Sequence, residues 1–235
     1  MRAFLAGTLF VLALAAAGCG GGSSPSTNGS GNGEASKSAK QVLTDAVHAA
    51  EAASAFHMSG QLSSGGEQIG LDLTIVKGKG ATGSMTLKGQ KVDLVIVGSD
   101  GYMKAGAAFW TQFAGSAGST IAQMLQGKWL KFSTTNAQFD LVTGLAKSKS
   151  LFSSLTSSHG TLTNKGATMY NGQNVVDIFG GSQNGTLYVA ATGTAYPIAI
   201  VKTGTGSGAV KFDSWNKSVT LTAPSGAIDV SALGG

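Results

Sequence analysis

The side chains able to do chemistry are few: one cysteine, three histidines and eleven carboxylates in 235 residues. Their spacing decides what they could do. His48, His57 and His159 fall in a helical stretch, at a strand start and in a loop. None is spaced as HExxH, and no second cysteine can complete a His/Cys set, so no metal site is expected. The acids are mostly single and strand-borne, as Asp72, Asp93, Asp177 and Asp213. No local carboxylate pair suggests acid–base work. Neither a P-loop nor a G-x-S-x-G elbow occurs. "GKGATG", Gly78–Gly83, is a literal G-x-G-x-x-G. A dinucleotide site needs a helix next, and "SMTLKG" with its period of two follows instead. The stretch reads as a β-turn. These exclusions argue against an enzyme, and they imply no cofactor.

The cysteine is different. A lone thiol cannot close an internal disulfide. Cys19 follows an apolar run, Phe4–Ala17, and precedes "GGGSSPS". Arg2 ahead of the run suits a secretory signal, and the run is too short to span a bilayer as a helix. The other reading, a buried or reactive structural cysteine, does not suit a thiol set in "GCGGGSS". The order small-small-Gly-Cys resembles the lipobox of bacterial lipoproteins, with Ala16 where that motif most often has Leu. The resemblance implies diacylglyceryl transfer to the Cys19 sulfur, removal of residues 1–18 and acylation of the new N-terminus. It implies a protein anchored through Cys19 to the outer face of the cell membrane. At about 0.8 kcal/mol per buried CH₂, two acyl chains hold a protein there durably where one would not.

Those groups must be carried by something. Residues 19–38 are rich in Gly, Ser and Asn without apolar periodicity, and read as an acylated Cys and a flexible tether of roughly 25 Å r.m.s. reach. Residues 39–235 remain for a single domain, long enough for a real core. Charged residues make up 11% of the chain and the formal net charge is +5. Arg2 is the only arginine, and the lysines are dispersed. Bidentate arginine contacts to bases are therefore absent, and no nucleic-acid partner is expected.

"SAKQVLTDAVHAAEAASAF" reads as a helix. Leu43, Ala46, Val47, Ala50 and Ala53 recur at spacings of three and four, and Ser38 with Gln41 matches a capping box. From Phe56 the period becomes two. Ile69, Leu71, Leu73 and Ile75 share one face, as do Met85 and Leu87, then Val92, Leu94 and Ile96. "KGKG", "KGQK" and "GSDG" separate these runs, so consecutive hairpins are expected. One or two short helices follow, carrying Phe109, Trp110, Phe113, Ile121, Met124 and Leu125. "KWLKF" reads as a strand and "FDLVTGLAKSKSLFSSL" as a helix. Strands resume as "TLTNKG", "MYNGQNVVDIFG", "GTLYVAAT", "YPIAIVKTG", "GAVKFDSW" and "SVTLTAP". Pro197 points to an edge or a strand start. Helices grouped on one side of a long antiparallel sheet make an α+β layout.

The pieces "AFHMSGQLS", "IGLDLTIVKGKGATGSMTL", "GYMKAGAAFW", "GKWLKF", "GTLYVAATGTAYPIAI" and "VTLTAPSGAIDVS" resemble the LolA-like actinobacterial lipoproteins of the LppX/LprA/LprF/LprG type. The likeness covers about Lys40 to Ser231. It implies a strongly curved antiparallel half-barrel with helices on its concave side, and a cavity for acyl chains of a lipid or glycolipid. On that expectation Ile69, Leu71, Leu73, Ile75, Leu87, Leu94 and Ile96 line the cavity. Phe109, Trp110, Phe113, Ile121, Met124 and Leu125 form either ordinary core or a lid. The expected function is envelope lipid transfer, with an unidentified transporter partner. The alternative is a ligand-free surface module acting through protein contacts or as a sensor.

Overall fold

The computed structural model describes residues 31–233 apart from 65, 146–151, 153–159, 182–184 and 205. Cys19, the expected signal and His159 lie outside the described residues. The helix expected from "SAKQ" onward is α1, Ala39–Ala52. The Ser38 hydroxyl accepts from the Gln41 amide at 3.3 Å, which supplies a partner to an orphan N–H of the first turn. Leu43, Ala46, Val47 and Ala50 are buried along one stripe, joined by Val42. At Ala53 the backbone turns extended, and the next strand begins.

Five strands follow as a meander: β1 Ala55–Ser64, β2 Glu67–Val76, β3 Gly80–Leu87, β4 Gln90–Val97 and β5 Asp100–Ala105. Two short helices, α2 Ala107–Phe113 and α3 Gly118–Met124, separate β5 from β6, Leu130–Ser133. A 3₁₀ turn, Ala137–Phe139, leads into α4, Asp140–Leu145. The second meander is β7 Thr163–Tyr170, β8 Gln173–Phe179, β9 Thr186–Ala190, β10 Pro197–Lys202 and β11 Gly208–Asp213. The chain ends with β12, Ile228–Asp229, and a 3₁₀ turn, Val230–Leu233.

The twelve strands form one open, curved sheet in the order β12-β6-β5-β4-β3-β2-β1-β11-β10-β9-β8-β7, with the helices on its concave side. The two meanders meet where β1 pairs with β11, His57 opposite Asp213. Period two puts Leu71, Leu73 and Ile75 on the core face and leaves Asp72 exposed. Val92, Leu94 and Ile96 do the same on β4. Each such side chain stabilises the fold by about 1.5–3 kcal/mol on burial. Across the seam, Phe56 stacks on Trp215 at 5.2 Å and meets Phe152 edge-on at 5.2 Å. Trp215 in turn stacks on Tyr196 at 4.4 Å.

Four details depart from the sequence expectations. "MYNGQNVVDIFG" is not one strand: Asn171 and Gly172 both have positive φ, 48° and 79°, and make the hairpin turn between β7 and β8. Two positive φ values in a row are what a type I′ turn requires. "SVTLTAP" is not a strand. Val219, Thr220 and Leu221 run beside Gly78, Lys79, Val97 and Gly98, across strand ends, so no neighbour offers a ladder. The sheet is not purely antiparallel, because β12 pairs with β6 in parallel.

Nor does the expected tether reach Ser38. The Asn32 amide donates to the Ala190 and Gly193 carbonyls, and a 3₁₀ turn, Glu34–Ser36, buries Glu34. Lys37 bridges Glu34 and Asp45, both at 2.7 Å. Polar side chains, invisible to hydrophobic periodicity, tie this segment down.

Candidate functional site

A cavity of about 710 Å³ lies between β3, β5 and β6 and the short helices. This volume falls within the range of small-ligand pockets. The sheet supplies Leu87, Met103 and Leu130, and the helices supply Phe109, Trp110, Phe113 and Ile121. Ala114 and Ala117 line it between α2 and α3. Gln138, Phe139 and Val142 close a further side, and Val230 and Leu233 come from the C-terminal turn. Among the described residues no charged side chain lines it.

Local sequence explains how these walls are held. Gly101 pairs with Phe132 across β5 and β6. A Cβ on residue 101 would sit 2.3 Å from the Phe132 ring, so only glycine lets that ring lie over the sheet. Phe132 then stacks on Phe139 at 4.0 Å, which sets a cavity wall. On α2, Phe109 stacks on Phe113 at 4.5 Å and meets Trp110 edge-on at 5.1 Å. The C-terminal turn is pinned by Asp229, whose Oδ1 accepts from the Ser231 amide at 3.0 Å and its hydroxyl at 2.7 Å. Those hydrogen bonds, the backbone one foremost, hold the Asp229 carboxyl below its usual pKa.

The sequence-predicted residues separate into two groups. Of the expected lining, Leu87 alone reaches the cavity. Leu71, Leu73, Ile75, Leu94 and Ile96 are buried in the hydrophobic core, and Ile69 packs against it half-buried. Of the expected lid, Phe109, Trp110, Phe113 and Ile121 are themselves walls. Phe113 is 42% exposed. Leu125 is fully buried and Met124 is 41% exposed, and neither lines the space. Sequence reasoning missed Met103, Leu130, Phe139, Val142, Val230 and Leu233. Alternation in "GYMKA" carried a signal for Met103. Nothing local marks Val230, which meets the cavity only because β12 pairs with β6.

The titratable groups among the described residues lie elsewhere. His57 sits between two carboxylates, with Nε2 2.9 Å from Asp72 and Nδ1 3.2 Å from Asp213. It faces away from the core, since its neighbours Phe56 and Met58 are the buried ones. His48 is exposed on α1. Burial pushes the Asp177 carboxyl above its usual pKa, partly offset by Lys165. Burial, then Asp177 and Tyr170, push the Tyr188 phenol up as well. Asp177 lies between inward-facing Val176 and Ile178, so it too is on the convex face. Among the described residues no three His, Cys, Asp or Glu cluster as metal ligands, and no helix is long and apolar enough to cross a membrane.

An open curved sheet cupping helices, with an apolar space between them, defines a class of α+β half-barrel. No family model and no curated protein matches the sequence. Solved structures do share the fold. LprF from Mycobacterium bovis superposes with a TM-score of 0.57 at 16% identity, covering 84% of this chain and 100% of that one. The Mycobacterium tuberculosis lipoprotein LppX gives 0.50 at 15% identity, covering 78% of this chain and 98% of that one. The half-barrel that the sequence resemblance implied is thus the fold found.

Proposed function

We propose that the protein is a membrane-anchored lipoprotein that holds acyl chains of a lipid or glycolipid in this cavity and helps their transfer across the cell envelope. The observation that carries the reading is an apolar space of about 710 Å³ with no charged side chain in its lining among the described residues. Acyl chains in water cost free energy in proportion to their exposed CH₂ groups, and such a space removes that cost. Phe113, exposed beside the cavity, is the proposed mouth. Cys19 is the proposed anchor on the outer face, with residues 19–30 as the proposed tether. The fold shared with LppX, a lipoprotein, supports the reading. The proposed function involves no catalysis.

Lipid content tests it. The full chain purified from a bacterial host is extracted with organic solvent, which frees non-covalent lipid only, and the extract is analysed by mass spectrometry. Near-stoichiometric lipid is expected. No lipid, together with no uptake of added methyl laurate, would overturn the reading in favour of a ligand-free module. The burial of Leu71, Leu73 and Ile75 in the hydrophobic core, away from the cavity, favours that second reading. The anchor is tested separately: Cys19→Ser should leave an unprocessed, unacylated precursor.

A further inference from the structure

The proposed tether enters the fold at the same end of the sheet as three lysines. Asn32, just after that tether, donates to the Ala190 and Gly193 carbonyls at the hairpin between β9 and β10. The Tyr196 hydroxyl of this hairpin accepts from the Asn216 amide at 2.7 Å, one residue from Lys217. At the same end β2 turns into β3 through Lys77, Gly78 and Lys79. Lys77, Lys79 and Lys217, all exposed, line one cleft of about 350 Å³ with Ser54 and Ser218. Among the described residues no acid lines it. Lys77 donates to the Glu51 carbonyl at the C-terminus of α1. Lys79 and Lys217 make no ion pair and no side-chain hydrogen bond among the described residues. A second cleft, of about 470 Å³, shares Lys79 and Val219 and adds Val97 and Leu221, apolar surface beside the charge. At the far end of the sheet the lysines near the β3–β4 turn are neutralised, Lys88 by Glu67 at 2.9 Å and Lys91 by Asp93 at 3.0 Å.

We infer that this end of the sheet rests on the anionic phosphate headgroups of the membrane that holds the anchor, which turns the cavity mouth away from that membrane. The inference rests on anchoring through Cys19 and adds an orientation to it. Length argues for this partner. Residues 19–30 reach roughly 20 Å r.m.s., whereas a strand of ten residues such as β2 spans about 33 Å. A tether that short keeps its own end of the sheet nearer the membrane than the far end. β2 lies three strand spacings from β10, about 14 Å, so the lysine cleft is brought down with it. Charge argues the same way, since each lysine at an anionic surface favours the contact about fivefold. Phe113, at the proposed mouth, lies 5.6 Å from the Nζ of Lys88, which belongs to the far end.

The test uses the full chain, recovered with its acyl groups from a bacterial host and reconstituted into vesicles of equal parts phosphatidylcholine and phosphatidylglycerol. Cys19 is the only cysteine, so an acylated chain takes a thiol-reactive dye only at an introduced one. Ser99→Cys puts the dye between β4 and β5 at the lysine end, and Gln126→Cys puts it between α3 and β6 at the far end; both positions are exposed. A quencher attached to lipid headgroups should dim the Ser99→Cys dye several-fold more than the Gln126→Cys dye. Lys79→Gln with Lys217→Gln should bring the two close to parity, because together these lysines bias the orientation by about 25-fold. Lys128→Gln with Lys202→Gln, an equal loss of charge at the far end, should leave the difference unchanged. Molar salt should erase it in the parent chain. Equal quenching of both dyes in the parent chain would overturn the inference. So would the same difference on vesicles of phosphatidylcholine alone, or an equal loss from either pair of substitutions. Dye taken up by the chain without an introduced cysteine would mean a free Cys19, and anchoring and orientation would then fail together.

Discussion

α1 packs on β8 and β10, whereas α2 packs on β4, and the two helices meet the same curved sheet in different ways. α1 has 14 residues, about 21 Å at 1.5 Å per residue. Its buried stripe is mostly Ala and Val, so its backbone approaches the sheet closely and the side chains interdigitate. α2 and α3 have seven residues each; α2 buries Phe109 and Trp110, and α3 buries Gly118 and Ala122. α2 carries large rings and α3 carries none, and these two short helices leave the cavity between themselves and β3, β5 and β6. The same sheet therefore buries its core under a long helix of small residues and leaves a cavity beside two short helices.

The largest expected effect lies at the seam between the two regions. Phe56 is buried against Phe152, Phe212 and Trp215. Phe56→Ala should cost about 3–5 kcal/mol in denaturant unfolding. A loss below 1 kcal/mol would mean that the seam is not close-packed. Overfilling the closed region should cost less: Ala46→Trp on α1, at a fully buried position, should lose about 1–3 kcal/mol or more. The matching change in the open region is Ala117→Trp, at the cavity wall. Stability there should move by no more than about 0.5 kcal/mol, while lipid content falls. Equal destabilisation by both tryptophans would erase the distinction between the regions.

The smallest effect concerns the outer surface of the closed region. The Asp177 pKa is raised in the folded protein, so folding disfavours its charged form. Stability contributed at this site is therefore present at low pH and falls as pH rises from the ordinary carboxylate range through the raised pKa. Asp177→Asn should raise Tm slightly at pH 7 and leave it unchanged at pH 3. A larger gain at pH 3 than at pH 7 would reverse the assigned sign.

How much of this was legible follows from what each element depends on. Ser38 capping α1, the alternation of β2 and β4 and Pro197 opening β10 are local, and each was readable. Asn171–Gly172 was equally local, but the apolar run around it concealed the turn. The buried Glu34 and the Asn32 contacts were not readable, because their partners Ala190, Gly193 and Asn164 lie more than 120 residues away. The cavity belongs to the same kind. Inward-facing residues on β2 and on β5 share one pattern, yet Met103 borders the cavity and Leu73 does not.

The sequence by itself determined which faces turn inward, where the hairpins fall and which helix is long, since dihedral preference and hydrophobic period act over a few residues. The resemblance to lipoproteins of known fold added the half-barrel. Only the tertiary structure decided where the core stays open. That depends on how far α2, α3, α4 and the C-terminal turn reach across the sheet, a balance of packed volumes from segments more than 100 residues apart in the chain. It also brought Lys217 into one cleft with Lys77 and Lys79.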